Sequence, residues 1–217
     1  MRLDAPSSLH AVGQLAGDPG PGGITFGTSF VEWTFSQPDV FGFIAVRNNG
    51  NPPLVRCDGF FGVFGCVFPG PIPFYVIDGA DPRLTEYAWH VKQALLSTLH
   101  GLFSPLTRTT NEATIKANGD TACPRNRIPP PGPQTCDEYP FRSTLQGAAA
   151  LPNNGRTFPG CLLEHRLPIG RPFQGAGWSA CRINPNHNSA GGNSLGLFYR
   201  TQRVLDGDQF WVGVINV

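Results

Sequence analysis

The chain is poor in charge and almost without lysine. Two of its 217 residues are Lys, 14% are charged, and Met occurs once. No stretch approaches the ~18 apolar residues of a membrane-spanning helix, so no such span is expected. No Cys-x-x-Cys pair occurs, and no Cys/His cluster has the spacing of a zinc ribbon. Met1 to Gly20 also lacks the charged n-region and apolar core of an export leader. What is present is glycine (27), proline (22), phenylalanine (16) and a 40% hydrophobic content. That composition excludes a disordered chain and describes a loop-rich globular protein with a β-leaning core. The length suits one domain, or one domain with a smaller N-terminal layer.

The six cysteines fall as three neighbouring couples, Cys57/Cys66, Cys123/Cys136 and Cys161/Cys181. Sequential pairing is the expected connectivity, each bridge contributing roughly 2–4 kcal/mol by restricting the unfolded chain. Three bridges imply an oxidising compartment, so the expected location is extracellular. With no leader visible, the expectation is a longer exported precursor or another export route.

Taken in order, residues 1–22 read as a flexible lead-in punctuated by Gly and Pro. Val31, Trp33 and Phe35 then alternate with Glu32, Thr34 and Ser36, the period of a half-buried strand. Phe41 to Val46, Leu54-Val55, Val63 to Phe68 and Phe74 to Ile77 add short apolar runs, with Asn48-Asn49-Gly50-Asn51 as a turn. The Phe and Val of these runs are expected in the sheet core. A helix over about 81–100 is predicted by Asp81-Pro82 at its start and by Leu84, Ala88, Val91, Leu95 and Leu99 at helical spacing. His90 and His100 are read as surface or capping residues of that helix.

Residues 102–135 read as polar turns followed by a stiff, extended Ile128 to Pro133 strap that delivers Cys136. Asn184-Pro185-Asn186-His187-Asn188 reads as a turn cluster. A helix is predicted over about 189–203 with Leu195, Phe198 and Tyr199 buried, and Gln209 to Val217 as a final strand. The expected class is α+β, an antiparallel β-rich domain, with a lead-in (1–22), a β-rich layer with one helix (23–120) and a C-terminal core (121–217).

Two adjacent acids, Asp137 and Glu138, follow Cys136 directly. On an extended segment they face opposite ways, and neither enters an apolar core without a partner. Residues 121–203 carry nine arginines against three acids, whereas residues 1–120 carry seven basic and ten acidic residues. Arginine suits bidentate phosphate contacts, and a basic surface around a few acids suits a site that cleaves a polyanion. Arg142, five residues after Asp137, is the expected phosphate contact.

The run Cys136-Asp137-Glu138-Tyr139-Pro140-Phe141-x-Ser143-Thr144-x-x-Gly147-Ala148 is followed by Asn188-Ser189-Ala190-Gly191. Then come Leu195-Gly196-x-Phe198-Tyr199 and Leu205-Asp206-Gly207-Asp208-x-Phe210-x-Val212. The pattern resembles the NucA/NucB family of secreted bacterial deoxyribonucleases, in the longer, disulfide-bearing form found in actinobacteria. It covers about residues 120–217, and residues 57–100 resemble the upstream part of the longer forms. The resemblance implies a metal-dependent endonuclease that hydrolyses DNA phosphodiester bonds without strong sequence preference. Its core would be similar to that of the ββα-metal nucleases.

By that resemblance Asp137 is the base that activates water and Glu138 its neighbour in the site. Asn188 is a ligand or positioning group for a divalent Mg²⁺ or Mn²⁺ ion, with Glu138 as the second candidate ligand. His187 and Asn193 are candidate substrate contacts. DNA is the implied partner, with a cognate inhibitor or immunity protein as a possible second and a monomer as the expected state.

One position departs from the family: Gln146-Gly147 stands where the family usually has Glu-Gly. Gln146 is a candidate site residue whose substitution leaves open a weakened or inactive module that binds DNA or a cell-surface glycan. Glycoside hydrolysis would need two carboxylates flanking a sugar, and Asp137 and Glu138 are too close in sequence for that, with Glu164 the only other nearby acid.

Overall fold

A computed structural model describes residues 8–15, 20–35, 44–47, 54–98, 100–101, 103–124 and 134–217. The turn at 48–51 and the proline strap at 128–133 lie outside these residues. The chain divides into two compact units, Met1–Pro71 and Ile72–Val217; the sequence-based division falls at 120/121.

The first unit is one antiparallel sheet of five strands: β1 (Ser8–Leu15), β2 (Ile24–Phe35), β3 (Ile44–Arg47), β4 (Leu54–Asp58) and β5 (Gly65–Val67). The alternating segment around Val31 lies in β2, which pairs with β1, β3 and β4. β1 falls inside the stretch read as a lead-in. The Gly/Pro run is concentrated in residues 17–23, so Ser8–Leu15 can pair with β2 in register from Ser8↔Thr34 to Leu15↔Gly27. Cys57 and Cys66 lie opposite each other on β4 and β5 and are bonded. Phe64, Phe68 and, in the second unit, Phe74 are exposed. The reading of these phenylalanines as sheet core is thereby corrected.

The second unit holds β6 (Phe74–Asp78), α1 (Thr85–Ser97), β7 (Leu106–Thr107), α2 (Glu112–Ala122), β8 (Thr135–Tyr139), β9 (Gly155–Arg156), β10 (Trp178–Ile183), α3 (Pro185–Thr201) and β11 (Gln209–Ile215). They form two three-stranded sheets, β8-β10-β9 and β6-β11-β7. The fold is α+β, but these sheets are mixed: β9 runs parallel to β10 and β6 parallel to β11.

α1 begins at Thr85, because Asp81 spends its carboxylate on the Arg83 amide and guanidinium one turn earlier. α2 occupies sequence read as polar turns. Asn111 caps it by accepting from the Thr114 amide, and Glu112 sits in its first turn. α3 starts at Pro185 within the segment read as a turn cluster, since Asn184 is its N-cap and proline suits the first helical position.

The core between these elements is aromatic. Phe141 packs edge-on against Tyr139 and Tyr75 and stacks at 6.5 Å on Phe210, which also meets Phe198 and Tyr199. All six are buried, and they back the strand that carries the two acids. Cys123–Cys136 joins the end of α2 to β8, and Cys161–Cys181 fastens a loop to β10. All three expected bridges are present. No helix among the described residues is long and apolar enough to cross a membrane.

Candidate active site

β8 and β10 pair antiparallel, with Asp137 opposite Cys181 and Glu138 opposite Ala180. Strand alternation sends the two acids to different faces, where they meet different partners. Asp137 is 5% exposed, and its Oδ2 lies 2.6 Å from Nδ1 of His90 on α1. The other ring nitrogen, Nε2, lies 3.0 Å from Oγ of Ser179. Ser179 is two residues from Cys181 on β10, hence on the same face as Asp137. His90 is fully buried, and the reading of it as a surface or capping residue is corrected. Its signal was in the sequence: it follows Tyr87 by three residues and precedes Ala94 by four, a polar residue inside an apolar stripe.

Glu138, 7% exposed, accepts a 2.8 Å bond from Nε of Arg142, whose side chain is 57% exposed. Burial pushes the Glu138 carboxyl above its usual range, while Arg142 pulls it down. Oε2 lies 3.5 Å from Sγ of Cys123, so the disulfide borders this acid as well as preceding Asp137.

Asn188 stands in the first turn of α3. Its Nδ2 donates to Oγ1 of Thr135 (2.9 Å) and to the Cys136 carbonyl (3.1 Å), which pins the helix start to β8. With the amide nitrogen engaged, the side-chain oxygen is the atom left for a ligand. Gly191, one turn on, lets α3 approach α1: a Cβ there would meet the Tyr87 ring at 2.6 Å.

A cleft of about 290 Å³ collects these groups, lined by Asp137, Glu138, Arg142, Ser143, Asn188, Tyr87 and Tyr199, among others. Burial holds the Tyr87 hydroxyl well above its usual range, and it lies 3.5 Å from the Tyr75 hydroxyl. Ser143 Oγ lies 3.0 Å from the Tyr199 hydroxyl, and the Arg108 guanidinium sits 4.5 Å over the Tyr199 ring.

Three of the expected site residues lie outside the cleft lining. Gln146 clasps Thr107 on β7, accepting from its amide at 2.9 Å and donating to its hydroxyl at 3.3 Å. His187 accepts from the Glu86 amide at the start of α1 (3.4 Å). Asn193 is exposed on α3. None of the three lines the cleft.

The arginine-rich half is less free than its composition suggests. Arg156, Arg182 and Arg203 are buried, and Arg156 donates to the carbonyls of Ser97, Gly175 and Ala176. Arg142, Arg166, Arg171 and Arg200 are exposed, and Arg142 is the one at the cleft. Arg125 and Arg127 lie outside the described residues.

A family model described as Deoxyribonuclease NucA/NucB matches residues 89–213, more than half of the chain. The match begins one residue before His90 and takes in the whole cleft except Tyr87. No curated protein and no solved structure matches the chain.

Proposed function

Because the chain belongs to the deoxyribonuclease NucA/NucB family, we propose that it is a metal-dependent, sequence-nonspecific DNA endonuclease and that the cleft at β8 and α3 is its active site. One observation carries this reading. A buried carboxylate, Asp137, is held from behind by His90 and lines an open cleft beside an exposed arginine and a helix-borne amide.

In this reading Asp137 takes the proton of the attacking water, as general-base catalysis requires a positioned acceptor. Arg142, anchored by Glu138, meets a phosphate of the strand. A fixed guanidinium fork loses less freedom on binding a phosphate than a loose one. The order β8, β10, α3, two antiparallel strands and then a helix, supports a ββα-type arrangement.

Among the described residues no cluster of three His, Cys, Asp or Glu side chains can hold an ion by itself. The donors present suit a hard ion that keeps most of its water, as Mg²⁺ does with one or two protein oxygens plus phosphate. Asn188 is the main protein donor, since its amide nitrogen is committed to β8. Glu138 contributes less as a ligand, because its Oε1 already holds Arg142. When bound, such an ion polarises the phosphoryl oxygen and steadies the leaving oxygen.

The three disulfides fit export to an oxidising space. The direct test is supercoiled plasmid with Mg²⁺ or Mn²⁺. Nicking that stops with EDTA and returns with excess metal is expected. No cutting with either ion, or cutting that EDTA leaves untouched, would overturn the reading.

A further inference from the structure

The His90 contact goes beyond the acid itself, and it rests on the nuclease reading above. We infer that His90 is the positioning residue of this site: its Nδ1–H holds one oxygen of Asp137 and leaves the other as the acceptor that faces the cleft. To act as a base Asp137 must be a carboxylate, which only accepts hydrogen bonds, and the proton of the 2.6 Å contact is therefore assigned to Nδ1. Ser179 then holds the far side of the ring through Nε2 at 3.0 Å. Three elements, α1, β8 and β10, thus fix one side chain, and all three residues are buried to 5% exposure or less. The Phe158 ring, 6.1 Å away and tilted, closes a further side of the imidazole.

The arrangement reverses the usual order of an acid orienting a histidine. Here the histidine is fully enclosed and cannot reach substrate, while the acid lines the cleft. His90 acts on the reaction through the direction in which Asp137 points. A small displacement of a reacting group costs about 10²-fold in rate, which sets the size of the effect.

The test uses the full chain. His90→Leu fills the buried volume without a donor and is expected to lower kcat about 10²-fold, with KM for plasmid DNA unchanged. His90→Asn restores an N–H near the Nδ1 position and is expected to recover about tenfold of that loss, a rescue that a purely packing role would not give. In parallel, ¹⁵N-histidine spectra of the wild-type chain are expected to show His90 Nδ1 protonated, a readout that does not depend on any variant folding. An unprotonated Nδ1, or a folded His90→Leu with wild-type kcat, overturns the inference. If Asp137→Asn is inactive while His90→Leu is not, this inference alone falls. If Asp137→Asn cuts at the wild-type rate, the nuclease mechanism falls with it.

Discussion

Asp137 and Glu138 are neighbours in sequence with separate tasks, because a strand turns successive side chains to opposite faces. The first meets an imidazole, the second a guanidinium. Burial raises the Glu138 carboxyl above its ordinary 4.5. A raised carboxyl binds its proton more tightly folded than unfolded, so its contribution to stability is present at low pH and is lost as pH climbs through the folded value. Arg142 offsets that loss only where Glu138 is ionised. Arg142→Ala is therefore expected to lower the thermal midpoint more at neutral pH than below pH 4.5. It is also expected to weaken DNA binding and reduce the salt slope by about one. Equal destabilisation at both pH values, with an unchanged salt slope, would contradict this. At this scale the sequence disclosed the acids and not their partners. His90 is 47 residues from Asp137 in the chain, and only the docking of α1 on the sheet brings them together.

Among the elements, α2 was the least legible and is closely tied to the site. Its sequence, Glu-Ala-Thr-Ile-Lys-Ala-Asn-Gly-Asp-Thr-Ala, contains one large apolar residue, so no stripe marks it. What holds it is polar. Asn118, 1% exposed, donates to the carbonyls of Arg142 and Thr144 and accepts from the Ala149 amide. These bonds pin the loop that carries Arg142, and Gly147 makes room for them, since a Cβ there would lie 2.2 Å from Asn118 Nδ2. Asn118→Ala leaves three backbone groups without that partner and is expected to cost about 2 kcal/mol in denaturant unfolding, with a fall in nuclease rate. A loss near zero would show that water replaces the side chain. α3 was legible in its body and misplaced at its start, because Asn-Pro is both a turn signal and an N-cap followed by the first helical residue. The strands around Cys57, Phe74 and Gln209 were legible as apolar runs. That two of the pairings in the second unit are parallel depends on chain crossings that local pattern does not encode.

In the whole molecule, all the groups of the cleft lie in the unit Ile72–Val217. Arginine content pointed to a polyanionic partner, as the family match does, but on an incomplete reason. Three of the seven described arginines between 121 and 203 are buried, and composition cannot separate a guanidinium that binds carbonyls from one that faces solvent. The cysteine pairing was fully legible, because the close spacing of each couple makes the short loops the natural ones to close. Gln146, read from the sequence as standing where Glu is expected, is held on β7. In the proposed mechanism the chemistry is assigned to Asp137. The measurement that tests this most directly is plasmid nicking by Asp137→Asn beside DNA binding by the same variant. The exchange keeps size and shape and removes the basic oxygen. Binding is expected to survive while cleavage falls by ~10²–10⁴-fold; cleavage at the wild-type rate would contradict the account.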